Sequence, residues 1–468
     1  MTRTTVYGGA RLRRLREQHR LTQLALARRL DLSASYVNQI ENDQRPLTVP
    51  VLLKLAAAFE LDPQFFAADD DARLAADLHE VLADTTATPA SAAVIDELVA
   101  RMPDVGRTLV DLHRRLHTAT ERLEQYPPHR DIAGAPAPFE QVRDFFYDRR
   151  NHIAALDAAA ERLHRDHGLR AGALDAQLAD ILRADHDITV RLRSDPPDRP
   201  GPKRRYDPED RVLTLPRRLP PGSRAFQLAT QLAMLTQADA IDAEVADAPG
   251  LDGDAGALAR IALAHYFAGA MLLPYGEFLS AAEEFRYDIE LLSRRFEVGF
   301  ETVCHRLSTL QRPGSRGVPF FFVRTDRAGN ISKRQSATAF HFSRVGGGCP
   351  LWVVHDAFAT PGRIRTQIAR MPDGRTYLWI ARTTREAGLG WRAPAREFAI
   401  GLGCDITHAE RLVYADGLDL ADTTAATPIG PGCKVCERTD CAQRAFPQLG
   451  RPLRIDPRVS DRLPYPQA

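Results

Sequence analysis

The segment Leu21–Asn42, LTQLALARRLDLSASYVNQIEN, most constrains the fold. Thr22 is a good N-cap, and Leu26, Ala27 and Leu30 fall on one face of the helix it opens. After a short turn, Ser33 caps a second helix whose Val37 and Ile40 face inward. Leu12 and Leu15 upstream and VPVLLKLAAAFELDPQFF downstream supply the rest of a small apolar core. Two helices joined this tightly, with a polar outer face on the second, have the shape of a helix-turn-helix whose second helix enters a DNA major groove.

Charge supports a boundary just beyond this unit. Residues 1–66 carry ten basic and six acidic side chains, whereas 69–104 carry two and nine. The acidic stretch reads as helical, and YPPHRDIAGAPAP (126–138) reads as a linker because proline stops helices. HDITVRLRSDPPDRPGPKRRYDPEDRVLTLP reads as two strands about a proline-rich turn, followed by a series of helices. Beyond Pro313, GVPFFFVRTDRAGNISKR, CPLWVVHDAF and RTYLWIARTT read as strands.

The first 66 residues resemble the lambda-repressor-like (XRE-type) helix-turn-helix family, matching its Thr-Gln opening, Ala27, the Ile-Glu-Asn ending and Leu-Asp-Pro. The resemblance implies phosphate contacts from Gln23, Ser33, Asn42 and Arg45, which position the protein without reading sequence. The exposed face of the recognition helix is Ala34, Ser35, Tyr36, Asn38 and Gln39. Ser35 and Gln39 are the expected base readers, since glutamine can pair with adenine at two points. Arg16 and Glu41 match the family's structural ion pair. Asp31 stands where the family usually has glycine, so that turn is expected to hold a left-handed residue at some strain.

RAFQLATQLAMLTQ is similar to the zinc helix of the ImmA/IrrE metalloprotease-like domain. A zincin places His, Glu and His on one helix face. Here Thr230, Gln231 and Met234 take those positions, and IALAHYFAGAMLLP has Ile261 and Leu263 near the place of the third ligand. These side chains are poor zinc ligands and include no base to activate water. His265 is expected to be packed in the core. A metal-dependent protease is therefore the disfavoured alternative.

Three of the six cysteines, Cys433, Cys436 and Cys441, fall within nine residues as C-x2-C-x4-C. Clustered cysteines in a chain without an apolar leader suggest a cytoplasmic metal or redox site. Thiolate ligation suits zinc and iron–sulfur clusters alike, and reduced thiols are the third reading. Cys404 is the expected fourth ligand, from a stretch read as turn-rich. Cys349 is the reserve, and Cys304 is read as merely buried.

The order of these parts, with RFEVGFETVCHRLSTLQRPG, RAGNISKRQSA, GGGCPLWVVHDAF, MPDGRTYLWIART and GCKVCERTDCAQRAFP, resembles the short-chain fatty acyl-CoA transcriptional regulators. The resemblance implies a non-enzymatic regulator of propionate, methylcitrate or glyoxylate-cycle genes. It also implies an acyl-CoA effector and, in at least some members, an iron–sulfur cluster, expected as 4Fe–4S with zinc as the alternative. A redox-sensing regulator without a metabolite ligand is the rival reading. The phosphates of an acyl-CoA call for cations. The candidates are Lys203, Arg204, Arg205 and Tyr206 in GPKRRYDPED, Lys333 and Arg334 in NISKRQ, and Arg286 and Arg324. Arg-rich turns are cheap here, because only four of the 62 basic residues are lysine.

The expected architecture is multidomain and mainly α, with an α+β sensor region. It comprises a helix-turn-helix domain (1–66), an acidic helical linker (67–138), a zincin-like domain without metal ligands (139–312) and a mixed C-terminal domain (313–468) with a Cys-ligated cluster. The expected partners are an operator in double-stranded DNA, an acyl-CoA and further copies of the chain, as a homodimer or a higher homo-oligomer. No run of about 18 apolar residues suggests a membrane span.

Overall fold

The computed structural model describes residues 9–19, 21–42, 44–45, 48–59, 69–85, 91–125, 137–196, 201–337, 348–386, 395–422 and 425–466. The Leu-Asp-Pro of the first domain and nearly all of the Pro/Ala/Gly linker lie outside these residues. The chain divides into two compact units, residues 1–127 and 128–448, with short C-terminal pieces assigned to each.

The first unit opens with α1 (Gly9–Gln18), α2 (Gln23–Arg29), α3 (Ala34–Glu41) and α4 (Val49–Phe59). The two expected caps form: Thr22 accepts the N–H of Ala25 and Ser33 that of Tyr36. Leu12, Leu15, Leu26, Val37, Ile40 and Leu55 make the core of this bundle. Asp31 adopts φ 50°, the left-handed turn expected of it, and Lys54 donates to its carbonyl at 3.0 Å. A second bundle follows, from α5 (Asp69–Thr85), α6 (Ala92–Arg101) and α7 (Pro103–Gln125). Its core is Leu74, Leu78, Val81, Ile95, Val99 and Val110.

The second unit begins with α8 (Pro138–Asp148), α9 (Ala154–Asp166) and α10 (Leu174–His186). A three-stranded sheet follows, of β1 (Thr189–Arg193), β2 (Arg205–Asp207) and β3 (Val212–Pro216). The expected two strands are thus three. β2 and β3 form the hairpin, while β1 runs parallel to β3. α11 (Pro221–Thr236), α12 (Ala238–Ala246), α13 (Gly253–Leu272), α14 (Tyr275–Glu284), α15 (Ile289–Phe296) and α16 (Phe300–Leu307) complete the helical part. α13 is apolar almost all round and long enough to cross a membrane, but 67% of that apolar stretch is buried inside the fold. A helix apolar on every face is what a protein centre requires.

One buried charge network fastens these helices. Arg306 donates to Asp157 at 2.7 Å and to the carbonyl of Leu273 at 2.9 Å, and the Tyr266 hydroxyl donates to Asp157 at 3.1 Å. Burial alone pushes the Asp157 carboxyl up, but Arg306 and His152 outweigh it and hold it at about 2.

The C-terminal sheet contains β4 (Phe320–Thr325), β5 (Ile331–Ser336), β6 (Arg365–Arg370), β7 (Thr376–Glu386), β8 (Arg396–Asp405) and β9 (Thr427–Pro428), in the order β5-β4-β8-β7-β6-β9. Side chains alternate across a strand, and this sheet divides two cores by that rule. Phe320, Phe322, Leu378, Ile400 and Leu402 join the helical core. Phe321, Val323, Trp379 and Ala399 join a second core with Cys349, Trp352 and Ile429. Gly403 has no side chain because a Cβ there would stand 2.7 Å from the Trp379 ring.

Two expectations fail in this region. CPLWVVHDAF is not a strand. Val353–Asp356 is α17, followed by a 3-10 turn at Ala357–Ala359. Cys404 is not on a turn: it lies within β8, and the 3-10 turns of that stretch begin only at Ile406.

Candidate functional site

The reading head presents Ala34, Ser35 and Asn38 as exposed and Tyr36 and Gln39 as half-exposed, along the outer face of α3. Behind them Arg16 grips Glu41 through two bonds of 2.7 and 3.2 Å, which locks α1 to α3. Gln23 departs from the phosphate-facing expectation. Its amide donates to Glu41 at 2.7 Å and to Asn38 at 3.3 Å, so in the free protein it braces the recognition helix. Asn42 caps the end of α3 and donates back to the Asn38 carbonyl at 2.9 Å. Arg45 lies 5.5 Å over the ring of Tyr36, on the same surface.

On α11, Thr230 is fully buried and donates its hydroxyl to the Phe226 carbonyl at 2.7 Å. Gln231 is buried and Met234 packs against the core. Ile261 is exposed, whereas Leu263 is buried. The positions that hold zinc in a zincin are thus filled by a satisfied helix and apolar packing.

A different chemistry lies beside that helix. His265, expected in the core, is instead exposed on α13, 5.5 Å from the Phe226 ring. Lys333 and Arg324 are cross-strand neighbours on β5 and β4, and the Lys333 ammonium stands 5.9 Å over Phe322. Arg204, from the turn before β2, and His305, on α16, complete the group. Burial is the main cause of the shift at each of four members. It drops His265 to about 4, with help from Lys333 and Arg204, and Lys333 to about 8. Burial likewise lowers His305 and Arg204. All four still meet solvent, His265 most of all.

Among the described residues this group has little negative charge beside it. Glu301, the carboxylate that acts on Lys333, is already held by Arg324 at 3.0 Å. Nη1 of Arg204 is buried with no partner. A donor held away from water without an acceptor is costly, so an anion that accepts from it would be favoured here.

The other candidate cations are separated from this group. Arg286 is bound through both nitrogens to Asp416, at 2.8 and 3.0 Å, and pins the 406–416 segment. Lys203 pairs with Glu386 at 3.1 Å. Arg205 is exposed on β2 and Tyr206 packs against the helical core. Arg334 follows Lys333 on β5, so strand alternation sends it to the opposite face. A separate cavity of about 360 Å³ has Asp356 and Asp419 against Arg365 in its wall, a net negative lining that suits a phosphate less well.

The cysteines regroup as well. Cys404 is fully buried in the helical core, where burial drives its thiol up and Asp405 and Arg411 are its charged neighbours. This corrects its expected role. Cys349 instead feels Cys433 and Cys436 and accepts the N–H groups of Leu351 and Gly430. Cys433 accepts the N–H of Ala445 at 3.3 Å, and Cys436 that of Arg438. The buried Arg444 ties the loop by donating to the carbonyls of Cys433 and Cys436 at 2.8 and 2.9 Å. A Cβ on Gly430 would lie 2.5 Å from the Cys436 sulfur. Thiols facing each other and receiving backbone N–H groups form a donor set suited to a thiolate-ligated centre. Among the described residues, no three such side chains already stand close enough to hold one metal ion.

Residues 12–66 match a helix-turn-helix model, 183–308 an IrrE N-terminal-like domain and 309–465 the C-terminal domain of short-chain fatty acyl coenzyme A regulators. The chain is 58% identical to the HTH-type transcriptional regulator PrpR of Mycobacterium tuberculosis, over 99% of this chain and 96% of that protein. It is 48% identical to RamB of the same species, with 98% of each chain covered. It is 44% identical to a propionyl-CoA carboxylase regulator of Cereibacter sphaeroides, again with 98% of each covered. A solved structure described as a Mycobacterium tuberculosis transcriptional regulator superposes with a TM-score of 0.68 at 60% identity, covering 71% of this chain and all of that one.

Proposed function

The chain belongs to the short-chain fatty acyl-CoA regulators, and from that premise we propose a transcriptional regulator whose cationic group receives a short-chain acyl-CoA. α3 reads the operator, with Ser35 and Gln39 at the base edges and Arg45 on the backbone. The protein acts as a homodimer, since paired half-sites need two heads. It governs genes of propionate and related acyl-CoA metabolism. The observation that carries the effector reading is the unpartnered Nη1 of Arg204, in the same half-buried cationic group as Lys333 around His265. Phe226, Phe322 and Met234 supply apolar surface near it. Calorimetric titration with propionyl-CoA, free CoA and propionate tests the reading. Binding by both CoA compounds and not by propionate supports it, and binding by propionate alone refutes it.

The finer part of the proposal concerns the thiols. Cys349, Cys433, Cys436 and Cys441 would hold an iron–sulfur cluster, with Cys349 in place of Cys404. When bound, such a group supplies a covalent clamp between tail and sheet, and a one-electron redox centre. The chain's own contribution is the N–H donors to sulfur and the Arg444 brace. Iron, sulfide and zinc measured after anaerobic purification decide between cluster and zinc.

A further inference from the structure

We infer that Arg13, on α1, is a further contact to the DNA backbone and carries the positive charge of the surface beside the recognition helix. A row of hydrogen-bonded side chains crosses α1, α2 and α3. From the start of α2, Gln23 donates to Asn38 Oδ1 at 3.3 Å. At the end of α3, Asn42 donates to the same oxygen at 3.0 Å. From α1, Arg13 donates through Nη2 to Asn42 Oδ1 at 2.9 Å. Asn42 is one of the expected phosphate contacts, so Arg13 extends that contact onto α1. Spacing in the chain does not reveal this, because Arg13 and Asn42 stand 29 positions apart.

Arg13 is the formal charge of the row, and no carboxylate binds it. Glu41 lies 3.8 Å from its Nε, too long for a hydrogen bond. The oxygens of Glu41 are already taken. Oε1 accepts from Arg16 at 2.7 Å, and Oε2 accepts from Arg16 at 3.2 Å and from Gln23 at 2.7 Å. Glu17 turns to Arg16, at 3.7 Å. Glu41 and Arg16 are buried or nearly so, whereas the Arg13 side chain is 46% exposed. Among the described residues only Nη2 of Arg13 hydrogen-bonds, to Asn42 and, at 3.4 Å, to the Glu41 carbonyl. The rest of its fork remains for another acceptor. A guanidinium fork matches phosphate oxygens, and a cation placed on a phosphate releases counter-ions. The remaining alternative is structural: through the Glu41 carbonyl, Arg13 would merely cap α3.

This inference rests on the reading head proposed above, and the test keeps the two apart. Binding of the full chain is measured by fluorescence anisotropy over a salt series. The probes are duplex DNA of random sequence and the best sequence selected from that pool. Arg13→Gln lowers affinity by the same factor on both probes. It also reduces the slope of log K against log salt by about 0.9 for each bound chain. Arg13→Lys keeps the parent slope, because an ammonium also displaces counter-ions. Gln39→Ala keeps the slope and loses preference for the selected sequence. An Arg13→Gln variant with the parent slope overturns the inference even where affinity falls, since a lost cap leaves the number of released counter-ions unchanged. A loss confined to the selected sequence overturns it as well. A Gln39→Ala variant with the parent preference overturns base reading by α3 and not this inference, which the slope decides.

Discussion

Lys333 offers the sharpest quantitative test of the effector site. Its ammonium is depressed to about 8, chiefly by burial. With that value it is about 90% protonated at pH 7 and about 10% at pH 9, whereas an ordinary lysine stays charged across the range. If the acyl-CoA phosphate binds only the charged form, apparent affinity falls with that fraction. The expected loss is about tenfold between pH 7 and pH 9. The sign is fixed by the charges, since an anion favours the protonated cation and affinity must fall as pH rises. Lys333→Met should remove a hydrogen bond to a charged group, at a cost of about 1.5–3 kcal/mol, or roughly 10- to 150-fold. It should also abolish the pH slope. Lys333→Arg should keep most of the affinity and flatten the slope, because guanidinium stays charged. Titration of propionyl-CoA by calorimetry at pH 7, 8 and 9 measures all three. A flat wild-type profile, or wild-type affinity in the Met variant, would refute the assignment of Lys333.

Three other outcomes are expected. Asp157→Asn leaves Arg306 buried without its counter-ion and should destabilise the second unit by about 3–5 kcal/mol, read from chemical denaturation. Because the Asp157 carboxyl is held down at about 2, its contribution is present above the unfolded value near 4 and lost as pH falls toward 2, so acid unfolding in that window should be missing from the variant. Gly430→Ala drives a Cβ into the Cys436 sulfur and should lower iron and sulfide recovered with the protein, with operator binding by the reading head spared. Gln39→Ala should relax sequence preference at one base pair by about 1–3 kcal/mol, and Gln23→Ala should weaken binding to every sequence alike, both read by competition gel shift.

The reading head was legible because everything that builds it is local. Thr22 and Ser33 announce their helices within three residues, and the left-handed turn at Asp31 follows from the shortness of the joint. The failures have identifiable causes. CPLWVVHDAF is a short apolar run, and such a run has the same pattern in a buried strand and a buried helix. β8 was missed because Gly401 and Gly403 look like turn residues, whereas they are there to admit Val354 and Trp379. That error placed Cys404 on a loop.

By itself the sequence determined the kinds of chemistry present: a DNA-reading helix pair, a zincin helix without ligands, a thiol triplet and a surplus of candidate cations. Tertiary structure decided which members lie together. Strand alternation sent Lys333 and Arg334 to opposite faces, Asp416 neutralised Arg286, and burial left Arg204 unpaired. The turn before α17 carried Cys349 to the thiol loop, while β8 sealed Cys404 in the core. Each choice depends on contacts between residues dozens to more than a hundred positions apart, and on burial, which a residue acquires only from its neighbours in space.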